Sequence, residues 1–220
     1  MRDLEFAPDG TLWVADANNG DIVLLNAEGL FLRSYGYSSF EPESVSWAVG
    51  IAFNSLGQAV IVDQNLNRIQ IRSAEGALVS NFGSYGVGPG EFRYPRAVVV
   101  DSQDHIYVAD SSNQRVQVFD PQGNFIRSFG SLGSAEGEFG SSSPRGLAMN
   151  SAEQLLVLDE TNNRVQIFEK DGTFVSSCCD GGLSFRLAND ITAHADGRVM
   201  VTEWGRHHVW VMDSSLTVIC

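Results

Sequence analysis

The chain has 220 residues, 43% of them apolar and 19% charged, with 22 Gly and 6 Pro. This is globular composition, too apolar for a disordered chain and too poor in Pro for a fibrous one. Acidic residues number 27 against 14 basic ones, a net charge of −13, which disfavours nucleic acid and anionic membranes as partners; no apolar stretch approaches the ~18 residues of a membrane-spanning helix.

Taken in chain order, the elements repeat. The first copy has an apolar run at Asp3–Ala7, a turn at Pro8-Asp9-Gly10, and a second run, Leu12–Ala15, ending on Asp16. Asp16-Ala17-Asn18-Asn19-Gly20-Asp21-Ile22-Val23-Leu24 follows. The second copy runs Gly50–Asn54, turns at Leu56-Gly57, and continues through Ala59–Val62 to Asp63, with Arg68-Ile69-Gln70-Ile71 beyond. The third has Ala97–Asp101, Ile106–Ala109, and then Asp110-Ser111-Ser112-Asn113-Gln114-Arg115-Val116-Gln117-Val118-Phe119. A turn at Pro121-Gln122-Gly123 and a fourth run, Phe125–Phe129, complete it. The fourth copy has Gly146–Asn150, Leu155–Leu158, and Asp159-Glu160-Thr161-Asn162-Asn163-Arg164-Val165-Gln166-Ile167-Phe168, with a turn at Lys170-Asp171-Gly172. The fifth has Asp190–His194, Asp196-Gly197, Val199–Thr202, then Glu203-Trp204-Gly205-Arg206-His207-His208. The acidic anchors Asp16, Asp63, Asp110, Asp159 and Glu203 are spaced 47, 47, 49 and 44 residues apart.

Four short runs per copy, separated by Gly-bearing turns and lacking helical periodicity, predict four-stranded antiparallel units. Runs such as Val60-Ile61-Val62 are apolar on both faces, as a strand covered on both sides requires. Repetition at this length predicts an all-β β-propeller with one domain over 1–220 and blades at about 1–47, 48–94, 95–143, 144–187 and 188–220. Five copies account for the whole length, so the chain is either a five-bladed ring or an incomplete six-bladed one, the latter open to self-association through bare apolar faces.

The Val-x-Asp-x-x-Asn-x-Arg-Val-Gln-Val-Phe pattern, together with Phe-x-x-x-Phe-Gly and a loop ending Gly-Glu-Phe, resembles the NHL-repeat family. Copies three and four match best. The first copy has Asp21 where Arg68, Arg115 and Arg164 stand; the last has Glu203 for the Asp and His208 for the Arg. The resemblance implies a propeller fold. It also implies two alternative functions known among relatives: RNA binding by NHL modules of ubiquitin-ligase-type proteins, and lyase or lactonase-like hydrolase chemistry.

A pair recurring in every blade is expected to be architecture, because a site needs asymmetry. Asp16, Asp63, Asp110, Asp159 and Glu203, with Asn113, Asn162, Arg68, Arg115 and Arg164, are therefore read as a structural motif, the Arg fork bridging each buried carboxylate. Calcium wants six or more oxygens close together, whereas the anchors come one per blade with Asn, Leu or Arg where a second ligand would stand, so no metal is expected.

With the four strands of each copy lettered A, the inner one, to D, the outer one, in chain order, binding is expected on the face carrying the B–C turns and the long connections Tyr37–Ala48, Ser84–Tyr94, Ser131–Ser143 and Cys179–Ala188. At the starts of the inner strands stand Arg2, Val49, Arg96, Arg145 and Asn189, with Trp47 and Tyr94 just before two of them. Trp204, Arg206 and His207 join from the last B–C turn. Basic groups rimmed by aromatics suit a protein or acidic-peptide partner. The four histidines, His105, His194, His207 and His208, do not converge as a zinc site would require. Glu5, Asn54, Asn150, Asn189 and Asp190 on or near inner strands are the residue types a lactonase-like site uses, yet no nucleophile motif accompanies them. The leading expectation is a non-catalytic interaction scaffold without catalytic residues or cofactor.

The start, Met1-Arg2-Asp3-Leu4-Glu5-Phe6, lacks an apolar signal region. Three cysteines, two of them adjacent, make no disulfide framework. A cytoplasmic setting is expected, with Cys178 and Cys179 as structural free thiols.

Overall fold

A computed structural model describes residues 2–36, 44–179, 185 and 187–219. Of the expected connections Tyr37–Ala48 and Cys179–Ala188, residues 37–43, 180–184 and 186 lie outside the described residues. The fold is all-β, a β-propeller of five blades, and among the described residues the one non-strand element is a 3-10 turn at Ser111–Asn113. The chain forms two compact units, the first Met1–Ile106 with Phe119–Phe125, the second Tyr107–Val118 with Ile126–Cys220.

The strands number from the first blade: β1 (Asp3–Phe6), β2 (Leu12–Asp16), β3 (Asp21–Leu25) and β4 (Phe31–Tyr35). The second blade has β5 (Ala48–Phe53), β6 (Ala59–Asp63), β7 (Arg68–Arg72) and β8 (Leu78–Phe82). A short parallel pair follows in the next connection, β9 (Ser84–Tyr85) with β10 (Glu91–Phe92). The third blade holds β11 (Pro95–Val100), β12 (Ile106–Asp110), β13 (Arg115–Phe119) and β14 (Phe125–Phe129). The fourth holds β15 (Gly146–Met149), β16 (Leu155–Asp159), β17 (Arg164–Phe168) and β18 (Phe174–Cys178). The fifth holds β19 (Ala188–Ala193), β20 (Val199–Glu203) and β21 (His208–Met212), with one bridge from Met212 to Val218 where a fourth strand would run. Each blade pairs its strands in chain order.

Sequence explains the layering. In β6, β12 and β16 every residue is buried. Up to their terminal Asp these second strands are Val, Ile, Leu and Ala, with Tyr107 in β12, and such apolar side chains fit a pleated surface packed from both sides. Burying each such side chain contributes about 1.5–3 kcal/mol. The outer strands β4 and β8 alternate or face solvent instead. Turns carry their own chemistry. Asn54 Oδ1 accepts from the N–H groups of Leu56 and Gln58, and Asn150 Oδ1 from those of Ala152 and Gln154. These side chains substitute for backbone partners and close the tight A–B loops.

Each unit has its own core. In the first, Trp13 lies 5.6 Å from Phe53 and 6.0 Å from Tyr35 between ring centroids, within a cluster reaching to Ile61. Farther along the same unit, Phe119 meets Phe82, Phe92 and Phe125 at 4.8, 5.6 and 6.0 Å. In the second unit the same arrangement recurs on Phe168, which meets Phe129, Phe139 and Phe174 at 5.0, 5.8 and 6.0 Å. The Gly-Glu-Phe ends of the connections supply Phe92 and Phe139, both fully buried.

Candidate functional site

The repeated acids lie at the ends of the second strands. Asp63, Asp110 and Asp159 are fully buried and Glu203 nearly so. In the fourth blade Asp159 accepts from Gly140 N–H at 3.0 Å, Asn162 Nδ2 at 2.7 Å and Arg164 Nε at 3.1 Å. Arg164 spends its other nitrogens on the carbonyls of Ser134, Ala135 and Glu138, at 2.9, 2.7 and 2.8 Å. The pair thus ties the connection 131–143 to the blade. In the third blade Asp110 accepts from Asn113, Arg115 and Gln117. In the second, Asp63 accepts from the N–H groups of Ser46 and Trp47 and from Arg68, while Arg68 Nη2 donates to Ser44 O. The fifth blade substitutes both partners: Trp210 Nε1 donates to Glu203 at 2.7 Å, where Gln117 serves the third blade. In the first blade, Asp16 accepts from Asn19 and stands across from Asp21. The motif therefore positions the chain leading into inner strands. The buried glutamines Gln70, Gln117 and Gln166 belong to it too, and their signal in the sequence is their recurrence two residues after each Arg.

Within the first unit, the Arg2 guanidinium lies over the Trp47 ring, 5.9 Å from its centroid. Tyr94 is exposed, with φ +50, and its N–H donates to Asn67 Oδ1. Arg96 is half-buried at the start of β11. Val49 is the extra residue of a β-bulge between Ala48 and Gly50. Arg93 over Tyr85, at 5.3 Å, adds a second basic–aromatic pair on the β9–β10 connection, absent from the sequence-based set.

Within the second unit, Arg145 is half-buried and paired with Glu160 at 3.3 Å. Asn189 is the extra residue of a bulge between Ala188 and Asp190. Bulges re-aim the side chain they insert, and both fall where inner strands begin. Trp204 is 72% exposed, and its backbone N–H donates to the carbonyl of Leu187, itself exposed. Arg206 stands 3.8 Å from Glu203, and His207 is exposed with φ +56. Leu187 gave no sequence signal, because its proximity to Trp204 spans two connections.

Two inner-strand acids of the first unit are perturbed. Burial raises the Asp3 carboxyl to about 6, against the pull of N–H donors from Ile51 and Leu4. Glu5 is exposed by surface area, yet the protein around it still raises its carboxyl to about 7, chiefly by desolvation and further by the Asp3 charge. A raised carboxyl pKa means the folded chain holds its proton more tightly than the unfolded chain does. Stability from these groups is thus greatest below pH ~4, and is lost as pH climbs through 6 to 7. Glu5→Gln is therefore expected to flatten the decline in melting temperature between pH 5 and 8, and to raise it at pH 8, as read by calorimetry across pH.

The cysteine expectation is corrected. Cys178 and Cys179 form a disulfide with each other. Their Cα atoms are 3.7 Å apart, closer than the ~4.4–6.8 Å of ordinary disulfides. A pairing reading based on frameworks therefore passes over neighbours. Among the histidines, His105 Nδ1 meets Asp101 at 3.2 Å, and His194 Nδ1 meets Asp196 at 2.9 Å. Among the described residues, no three of His, Cys, Asp and Glu gather as a metal-ligand set. Nor is any helix among them long and apolar enough to cross a membrane.

The NHL repeat family matches residues 92–119 and 142–168. No curated protein sequence matches the chain. Among solved structures, a catalytically inactive virginiamycin B lyase from Staphylococcus aureus with quinupristin is 18% identical with TM-score 0.76, over 99% of this chain and 68% of that one. A chain of the nidogen/laminin complex is also 18% identical, with TM-score 0.77, over 99% and 77%. A protein of unknown function from Bacteroides caccae is 11% identical, with TM-score 0.70, over 96% and 71%.

Proposed function

Because the chain carries NHL repeats on a β-propeller fold, we propose that it is a non-catalytic scaffold that binds a protein or acidic-peptide partner at its B–C turns and inner-strand starts. The observation that carries this reading is Trp204, 72% exposed on a turn shared with Arg206 and His207 and held beside exposed Leu187. Exposing an indole to water forgoes a large burial gain, and Trp and Arg are the residues that most often dominate binding energy when a partner covers them. Arg2 over Trp47 offers the first unit the same chemistry. The guanidinium groups favour carboxylates, so acidic segments fit best. Solved structures of this fold include both a lyase and a chain in a protein–protein complex, so fold alone does not separate the classes. A cytoplasmic setting is part of the same proposal.

The test uses a panel of Asp/Glu-rich synthetic peptides and their Asn/Gln counterparts, measured by calorimetry. Acidic peptides are expected to bind, and Trp204→Ala to weaken them about 30-fold, the effect of a hot spot near 2 kcal/mol. Equal binding of both panels, or indifference to Trp204→Ala and Arg206→Ala, overturns the reading. Tight, steeply salt-dependent binding of mixed RNA would favour the RNA-binding alternative instead.

The catalytic alternative would use Glu5 as its proton-transfer group, an exposed carboxyl on inner strand β1 that desolvation and the Asp3 charge raise to about 7. A lactone panel that is hydrolysed by the native chain but not by Glu5→Gln would establish it.

A further inference from the structure

We propose that Cys178–Cys179 is a thiol–disulfide exchange site, opened by a dithiol reductant, whose redox state sets how the end of β18 packs against the fifth blade. The argument begins with register. Cys178 pairs with Val165 at the end of its outer strand, as Tyr35 pairs with Ile22 and Phe82 with Ile69. In chain order the corresponding dipeptides are Tyr35-Gly36, Phe82-Gly83 and Phe129-Gly130, and in the fourth blade Cys178-Cys179. The vicinal disulfide thus stands where every earlier blade has an aromatic followed by glycine.

Both halves of that dipeptide have work elsewhere. Phe82 lies against Gly123, and Phe129 against Gly172, each a glycine at positive φ in the next C–D turn. The following glycines, Gly83 and Gly130, adopt φ +101 and +99. The fourth blade changes all three positions together. Cys178 is smaller than the aromatic, and Leu216, buried and at φ +61, occupies the next turn where glycine stands in the others. Cys179 takes φ +76 although it is not glycine. An L-residue avoids this region because its Cβ crowds the backbone. The covalent ring to Cys178 closes on this conformation, at the position where Gly83 and Gly130 adopt it by lacking a Cβ.

Both cysteines are half-buried, so a thiolate can reach the sulfurs. They pack against the cluster that contains Leu216, Phe185 and Met212, and Trp210 packs against the same cluster. In the exchange, a reductant thiolate attacks one sulfur. The S–S bond breaks, a mixed disulfide forms, and the other cysteine leaves as thiolate. The reductant's second thiol then closes its own disulfide and releases the remaining cysteine. Two electrons and two protons pass to the protein, and the dithiol leaves oxidised. Reduction frees Cys179 to return to negative φ and loosens its contact with the Leu216 cluster. Half-exposed disulfides of this kind belong to the labile, redox-responsive class, which is the kind compatible with a reducing compartment.

Dithiothreitol serves as the probe. With the chain denatured during labelling, iodoacetamide is expected to modify at most one of the three cysteines without dithiothreitol, and all three with it. Hydrogen exchange over 174–179 and 208–218 is expected to quicken severalfold on reduction. Cys178→Ser/Cys179→Ser should exchange like the reduced form in both conditions. Cys178→Phe/Cys179→Gly/Leu216→Gly, which restores the pattern of the other blades, should be indifferent to dithiothreitol. Three thiols reactive without reductant, or unchanged exchange in the native chain on reduction, would overturn the proposal. The native-chain measurements decide it even where a variant does not fold.

Discussion

Arg164→Ala is expected to cost about 3–5 kcal/mol of stability, the loss that follows when one partner of a buried ion pair is removed. Asp159 is fully buried, and the Arg164 side chain is 5% exposed. Truncation leaves the carboxylate with Asn162 and Gly140 as its remaining donors among the described contacts. It also removes a donor from three carbonyls, of Ser134, Ala135 and Glu138; Ala135 keeps the Glu138 N–H and Glu138 keeps Gln166 Nε2, while Ser134 loses the guanidinium contact outright. For a chain of this size the melting temperature should fall by roughly 6–20 °C, measured by calorimetry. Arg164→Lys keeps the charge but loses the fork, so it should recover only part of the deficit. Arg68→Ala is expected to cost less, because Arg68 is 14% exposed and Asp63 keeps backbone donors from Ser46 and Trp47. Equal losses at both positions would mean that burial and the loop clamp do not govern the pair.

Gly83→Ala is expected to be comparably severe, for a different reason. The residue sits at φ +101, and a Cβ there would lie 2.6 Å from Phe92 Cε2 and 3.1 Å from the carbonyl of Asn67. Phe92 is fully buried against Phe119, so the ring has nowhere to yield. Backbone strain of about 1–3 kcal/mol adds to overpacking of about the same size. Gly197→Ala separates the two contributions. Its φ is +91, but the nearest atom to a Cβ is Ser214 Cβ at 3.5 Å, so only the backbone cost applies. Urea denaturation of both variants should show Gly83→Ala the more damaged; equality would place the whole effect in the dihedral.

These residues show what could be read without coordinates. Asp159, Asn162 and Arg164 lie three and five residues apart, so their bonds form within one turn between two strands. Recurrence at Asp110, Asn113 and Arg115 makes that local chemistry legible. The strands themselves were legible because apolar runs of this length, bounded by Asn, Asp and Gly turns, have few other outcomes. The short β9–β10 pair was not, since its two-residue strands carry no periodicity.

The sequence by itself therefore determined the repeat, the propeller class and the acid–arginine motif, all of which rest on short-range spacing and on alternation that any reader of the chain can count. The tertiary structure alone decided which carbonyls Arg164 grips about thirty residues upstream, that Trp204 faces solvent beside Leu187, that desolvation and the neighbouring Asp3 charge raise Glu5, and that Cys178-Cys179 stands in register with Phe82-Gly83 as a closed disulfide. Burial, desolvation and exposure depend on what distant segments place around a side chain, and that surrounding is written in no single stretch of the chain.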